Sequence, residues 1–404
     1  DGVMPGFELF DQQEIDALAD VIRRKVLHRY WFQGMRNGVC KVEEFERAVA
    51  EKFGAKHCLA VSSGTASLYV ALKALGIGPG DEIITSPFTF IATMESILEC
   101  GAVPVLAEID ESLNLDPGSV EELITERTKA IMPVHMFGAA ADMDAFRRIC
   151  EEYGLHLLED SCQAMGATYK GRYVGTIGKF GPYSLDPVKV ITVGEGGLIV
   201  TDDEDLYRKM EYYHDHGHIH DNTIERGAEG KACLGFNFRM SELQGALGLV
   251  QLGKLDLAIN KMKASKKKIL EGVGKVDGLS LRALPDPDGD TATQTVFLLP
   301  SEEAARKFQK ASKEAGVPCG NLADNTWHYA RHWATLREGT LYSRLRCPYD
   351  CPYVEEMPGY RPVEWPKTHS ILSRTAVYGM DILMDDERIE KIIRAVQAGV
   401  KAAL

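Results

Sequence analysis

The chain has 404 residues, 45% of them hydrophobic, and carries 59 Asp and Glu against 46 Lys and Arg, a formal net charge of -13 at pH 7. That length can bury one large core or two moderate ones, and Gly and Pro are too few for a disordered chain. The acidic balance argues against a nucleic-acid binder, whose affinity comes from clustered Lys and Arg that release counterions, and leaves small-molecule chemistry as the expectation.

The opening residues, Asp1-Gly2-Val3-Met4-Pro5-Gly6, have no basic region followed by an apolar stretch, and apolar runs such as 130–134 are short. Neither export nor a membrane span is expected. From about residue 43, helical and strand patterns alternate. They place helices at 42–53, 66–75, 93–100 and 143–153 and strands at 58–61, 82–85, 103–106, 130–133 and 155–158. This rhythm predicts a mostly parallel sheet covered by helices on both faces. A strand at 198–201, a helix at 203–213 and a polar His- and Gly-rich loop at 214–235 follow. Two helices, one from about 240 and one over 258–273, then lead out of the large domain. A strand at 294–299 and helices at 302–315 and 386–404 predict a smaller α+β domain. The expected division is an N-terminal arm and helix at 1–40, a large domain at 41–255 and a small domain at 256–404. Nine cysteines, an odd number scattered through the chain, suit reduced thiols and a cytoplasmic protein.

Three segments carry chemistry. In Val61-Ser62-Ser63-Gly64-Thr65-Ala66-Ser67, a strand gives way to a helix, which leaves free N–H groups and a hydroxyl at the positive helix end, a setting for phosphate. An ordinary Ser-capped turn reads the same way. In Leu157-Leu158-Glu159-Asp160-Ser161-Cys162-Gln163-Ala164, a carboxylate ends an apolar strand, at the edge where open α/β sheets bind ligands. It can hold a pyridine nitrogen protonated, ligate magnesium or cap a helix. In Tyr183-Ser184-Leu185-Asp186-Pro187-Val188-Lys189, followed by Gly194-Glu195-Gly196-Gly197, a lysine lies in a tight apolar segment. It suits an amine poised for a Schiff base, or a surface lysine beside a hairpin.

Together these motifs, in this order, resemble the DegT/DnrJ/EryC1/StrS family of pyridoxal-phosphate (PLP) sugar aminotransferases, from about residue 5 to the C-terminus. The resemblance implies the aspartate-aminotransferase fold (PLP fold type I), with a large, mostly parallel, seven-stranded sheet domain and a smaller α+β domain. It implies that Lys189 is the Schiff-base lysine and proton carrier, that Asp160 pairs with the pyridine nitrogen, and that Gln163 lies near the ring hydroxyl. Ser63, Gly64, Thr65 and Ser184 would hold the phosphate. Phe90 would stack on the ring, although it could equally be core beside Phe88. The segment Gly235-Phe236-Asn237-Phe238-Arg239-Met240 is similar to a family hallmark whose Asn reaches the neighbouring subunit's cofactor, so Asn237 implies a homodimer with shared active sites. It also reads as a helix cap. Asp186 departs from the His or Asn of many relatives, without changing the Ser-to-Lys spacing.

The family reaction moves an amino group from glutamate or glutamine to a keto or aldehydo sugar. Residues 28–38, 214–218 and 325–333 are similar to a branch that aminates 8-oxo-3-deoxy-manno-octulosonate for lipopolysaccharide. A nucleotide-linked 3- or 4-keto-deoxysugar is the alternative acceptor. An acidic sugar needs a cation, and Arg29, Arg36 and Arg331 are the candidates, each of which also reads as a surface residue. His328 and Tyr329 are further substrate-binding candidates, in a stretch where Ala330 replaces the family's usual Pro. Zinc on His328, His332, Cys347 and Cys351 is disfavoured by Pro348 and Pro352 and by the lack of a second close pair. A dehydrogenase would need more glycines than Ser63-Gly64-Thr65 supplies. A non-catalytic PLP-binding regulator is opposed by the retained Lys189, Asp160 and Gln163.

Overall fold

Strands in this chain are short apolar runs, and their two-sided burial shows why. The computed structural model describes residues 6–221, 223–342, 346–354, 357–360 and 365–404. Residues 1–5, on which the expectation about export rests, lie outside them. Strands β1 (His57–Val61), β2 (Glu82–Thr85), β3 (Val103–Leu106), β4 (Thr128–Ile131) and β5 (His156–Leu157) precede the two-residue strands β6 (Thr168–Tyr169) and β7 (Arg172–Tyr173). Strands β8 (Gly181–Ser184) and β9 (Gly197–Thr201) follow. Every residue of β2, β8 and β9 is buried, as expected of strands covered on both faces.

The order β3-β2-β4-β5 is parallel throughout, whereas β9 runs antiparallel to both β1 and β8. The two ladders join where Lys179 N donates to Leu157 O (2.8 Å) and Glu159 N to Phe180 O (3.2 Å), giving one seven-strand layer. On one face Leu59, Ile83, Leu158 and Ile199 pack under helices α4 (Gly64–Leu75), α5 (Ala92–Glu99) and α7 (Glu204–Tyr213); on the other, Ile84 and Ile131 meet Phe146 and Ile149 of α6 (Met143–Tyr153).

Ahead of the sheet come α1 (Gln12–Arg24), α2 (Gln33–Arg36) and α3 (Lys41–Phe53). A capping box starts α1, in which Asp11 accepts from Gln13 N and Glu14 accepts from Asp11 N.

The two helices expected between residues 240 and 273 are a single helix, α8 (Glu242–Val273), about 48 Å long at 1.5 Å per residue. The expected domain boundary at 255/256 falls inside it. Nothing between those residues forces a break: Gly245 and Gly248 are close-packing positions, where an added Cβ would lie 2.6 Å from Val42 N and 2.5 Å from the Phe45 ring. The first half of α8 packs on α3, and its later buried residues Met262 and Ile269 belong to a core shared with Phe308, Ile392 and Val396. Those last residues lie on α9 (Glu302–Glu314) and α12 (Asp386–Ala403), which flank the antiparallel sheet of β10 (Ser280–Leu281), β11 (Gln294–Leu298) and β12 (Thr375–Gly379). Strands β8 and β12 were not anticipated; their Gly, Pro and Thr content hides them from a pattern search.

Candidate active site

The carboxyl edge of the parallel strands places Asp160 first. Its backbone is held on both sides, with Asp160 N donating to Pro133 O and His135 N donating to Asp160 O, each at 3.0 Å. The side chain is 3% exposed. Its Oδ2 accepts from Thr93 Oγ1 at 2.7 Å and its Oδ1 from Cys162 N at 3.1 Å. Because Thr93 gives its proton to Asp160, Thr89, 2.7 Å away, must donate to Thr93. Among the described residues no Lys, Arg or His lies within ion-pair distance of this carboxylate. A buried anion held only by neutral donors is matched to a cationic ligand group.

Glu159 turns to the other side, as successive residues of a strand do. It accepts from Gly175 N (2.7 Å), Ile177 N (2.7 Å), Gly178 N (2.6 Å) and His135 Nε2 (3.0 Å). His135 Nδ1 accepts from Ala141 N at 3.1 Å, so its proton resides on Nε2 and points at Glu159. This fully buried pair fixes the strand ends from beneath, and sequence reasoning missed it; a His two residues past an apolar strand was the available signal.

Lys189 lies in the turn between β8 and β9. Its N–H donates to Asp186 O at 3.2 Å, and its carbonyl accepts from Gly6 N at 2.9 Å, so the N-terminal arm clamps the segment. The side chain is 17% exposed, with Nζ 3.7 Å from Asp186 Oδ2. Its charge is felt by Cys162 and by His328: burial, and after it the Lys189 ammonium, push His328 down to about 4. Lys189 is thus within electrostatic reach of Cys162, which Asp160 also acts on, and of the His328 imidazole.

The start of α4 packs on Ser184 and Gly197. Ser63 caps the helix by accepting from Ala66 N at 3.0 Å. A Cβ on Gly64 would lie 2.7 Å from Ser184 Cβ, and one on Gly197 would lie 2.1 Å from Ser63 O. Thr65 is exposed and Ser184 buried beside it. We expect Gly197→Ala to push the helix start off the strand ends, lowering stability by about 1–3 kcal/mol and weakening cofactor retention; thermal unfolding with and without added PLP checks both.

Phe88 is fully buried, whereas Phe90 is 36% exposed, which makes Phe90 the aromatic ring available to a ligand. Gln163 accepts from Phe137 N at 3.4 Å, while its Nε2 is buried without a partner among the described residues. His328 is fixed by Asn325, whose Oδ1 accepts from His328 N at 3.1 Å. Tyr329 is fully buried with its ring stacked on His369, and burial pushes its phenol up to about 12.

The expected carboxylate fork is not assembled. Arg29 is buried, donating to Glu46 at 2.5 Å and to Ala60 O at 3.0 Å. Arg36 is buried too, donating to Trp31 O at 2.6 Å and lying 3.3 Å from Glu242. Both guanidiniums tie the arm to α3 and α8, because α3 supplies Glu46 and the start of α8 supplies Glu242. Arg331 sits 2.8 Å from His369 Nδ1. Asn237 is exposed, its Oδ1 accepting from Arg239 N at 3.3 Å. The loop of histidines before it is organised by fully buried Asp215, which takes Arg226 at 2.7 Å and Arg239, with His220 Nε2 at 3.4 Å. His332 lies outside a regular α-helix, in the 3-10 turn Ala330–His332.

The set fits PLP. The buried Asp160 carboxylate would suit a pyridine N–H, the orphaned Gln163 amide a ring oxygen, and the α4 start with Gly64 pressed on Ser184 a phosphate, with Lys189 the candidate amine. Comparison with known proteins agrees. The profile of the DegT/DnrJ/EryC1/StrS aminotransferase family matches residues 17–397. The chain is 35% identical over 373 residues to the spore coat polysaccharide biosynthesis protein SpsC of Bacillus subtilis (strain 168), covering 90% of each. It is 43% identical over 216 residues to the GDP-perosamine synthase of Caulobacter vibrioides, covering 53% of this chain and 57% of that one. The solved structure of the aminotransferase from Psychrobacter cryohalolentis superposes with a TM-score of 0.83 at 28% identity over 100% of both chains.

Proposed function

Because the chain belongs to the DegT/DnrJ/EryC1/StrS aminotransferase family and is a PLP-dependent sugar aminotransferase, we propose that Lys189 and Asp160 move an amino group from glutamate or glutamine to the carbonyl of a sugar. The observation that carries this reading is the buried Asp160 carboxylate, held by Thr93 and Cys162 N with no basic partner among the described residues, while Lys189 is near enough to act on the Cys162 side chain. When bound, PLP supplies an electron sink for the negative charge left on a substrate carbon after proton loss. Asp160, held by Thr93 and Cys162 N, keeps the proton on the pyridine nitrogen. Lys189 Nζ takes the proton from the donor's α-carbon and, in the second half of the cycle, delivers one to the sugar carbon that receives nitrogen. Ser63, Gly64, Thr65 and Ser184 would hold the phosphate, Gln163 would donate to the ring oxygen, and Phe90 would be the aromatic side chain available to the ring.

Two acceptors are in play. 8-Oxo-3-deoxy-manno-octulosonate, for lipopolysaccharide, needs a cation for its carboxylate, and the ion pairs of Arg29 and Arg36 leave only Arg331 of the three expected. That shifts support toward the nucleotide-linked 3- or 4-keto-deoxysugar, a class in keeping with the name of the Caulobacter relative. The test is a pair of half-reactions: glutamate or glutamine converts the loaded cofactor, and each sugar is then offered in turn. Return of the original absorbance with the nucleotide sugar alone supports the second acceptor. Return with the octulosonate alone supports the first, and no conversion by either donor would sink the amino-transfer roles of Lys189 and Asp160.

We propose a homodimer in the cytoplasm as the working form. Leu234 (95% exposed) and Phe236 (57%) flank Asn237 with apolar surface, and a cavity of about 580 Å³ lined by Ser63, Thr65, Phe236 and Phe238 opens beside α4. Asn237→Ala should then weaken PLP binding about 10-fold, the order of one charge-assisted hydrogen bond, without changing the unfolding midpoint of the cofactor-free protein. Unchanged PLP affinity would count against a phosphate contact from this residue. Among the described residues no helix is long and apolar enough to cross a membrane.

A further inference from the structure

From Gln163 outward an unbroken aromatic wall leads to solvent. Phe137, whose N–H donates to Gln163, meets the His328 ring edge-on at 5.6 Å between centroids; His328 meets Phe90 at 6.0 Å; and Phe90 lies nearly parallel to Trp327, 13° between planes and 6.4 Å between centroids. The outermost ring is the most exposed tryptophan. Trp333 and Trp365 are buried, Trp31 in the N-terminal arm is 50% exposed, and Trp327 is 69% exposed. Leaving so large an apolar ring in water costs hydrophobic stabilisation, and its place is nonetheless defined. Asn325 Oδ1 accepts from both Trp327 N (3.0 Å) and His328 N (3.1 Å), and the segment is stitched to the large domain by Thr89 N donating to His328 O and Ala330 N to Pro87 O, each at 2.8 Å. The exposed ring thus stands at the outer end of this wall, on a segment held to Thr89 and Pro87 by backbone hydrogen bonds and followed by His328, which feels the Lys189 charge.

We infer that Trp327, backed by Phe90, is the platform on which the sugar acceptor lays the apolar face of its ring. This rests on the acceptor being a sugar, and it names the residue that distinguishes acceptor from donor. A sugar ring presents a face of C–H groups that an indole covers while the hydroxyls on the rim keep their water or find polar partners. Glutamate and glutamine have no such face. His328, whose ring stands between Phe90 and Phe137, is one polar group beside the platform, and Asn325 is another. The exposed position means that Trp327 contributes to binding without holding up the core.

The test uses the loaded enzyme and separates the two half-reactions. In Trp327→Ala the half-saturating concentration of the sugar acceptor should rise about 10-fold, the scale of one lost ring contact, with the maximal rate of that half-reaction kept within about threefold. Trp327→Phe, which keeps a flat ring, should recover most of the loss. Conversion by the amino donor, and return by glycolaldehyde as a carbonyl acceptor without a ring, should stay within about twofold of wild type in both variants. An unchanged sugar half-reaction in Trp327→Ala, or an equal loss for sugar, donor and glycolaldehyde, would overturn the platform. If the wild-type enzyme takes glycolaldehyde but none of the sugars offered, the sugar acceptor fails and the platform falls with it; if wild type takes a sugar and Trp327→Ala does so equally well, the platform alone falls.

Discussion

Lys189→Ala should abolish amino transfer and leave the protein folded. Its charge acts on His328 and on Cys162, which Asp160 acts on as well, and both halves of the cycle need one group to carry a proton between carbon centres. Loss of a positioned proton carrier lowers rates by up to about 10^4-fold, and loss of the amine that tethers the cofactor adds to that. Stability should barely move, within about 1 kcal/mol, because Nζ is partly exposed and its nearest carboxylate, Asp186, is 3.7 Å away. Single-turnover absorbance with the amino donor and thermal unfolding check the two halves of the expectation. Partial rescue by a small primary amine in solution would show that the missing function is that of an amine; sustained turnover without one would remove Lys189 from the mechanism.

Asp160→Asn is the second large effect, and it isolates charge from shape. Asn keeps an oxygen for Thr93 and another polar group in the same buried volume, so folding should survive. What disappears is the negative charge facing the pyridine nitrogen. Removing one partner of a buried ion pair costs about 3–5 kcal/mol, equivalent to a fall in turnover of roughly 10^2- to 10^4-fold. The variant should retain its unfolding midpoint without cofactor, bind PLP more weakly and lose rate in both half-reactions alike. A loss confined to the sugar half would instead assign Asp160 to the acceptor. Activity within about threefold of wild type would mean that the carboxylate does not hold the ring proton.

The difference between these two residues and the arginines is instructive. The settings of Lys189 and Asp160 were legible because each belongs to a local motif whose backbone context predicts where its side chain sits: a buried carboxylate at the end of an apolar strand, and a lysine in a Gly-bounded turn. Arg29 and Arg36 had no such context. A guanidinium reads as free until its carboxylate is known, and Glu46 and Glu242 are 17 and more than 200 residues away. The same limit explains the His135–Glu159 pair, which joins two strand ends that pack side by side, and Trp327, whose exposure could only be seen once Phe90 and Asn325 were in place.

At the level of the fold, the sequence by itself determined most strands and helices of the large domain, β8 and the two-residue strands β6 and β7 apart, since burial on both faces produces apolar runs and amphipathic faces that are local properties. It also determined the cofactor and the family, through four motifs in one order. The parallel run of β2 to β5 followed from the helices between strands, whereas the reversal of β9 against both its neighbours was not readable, because an apolar run is the same read either way. The continuity of α8 was not readable either: its partner changes from α3 to the smaller domain's core midway, so its apolar face shifts and mimics two helices. Which charges are left free to meet a substrate was settled only by tertiary structure, for an ion pair is a property of two distant residues and the water they exclude, not of either one's neighbours in the chain.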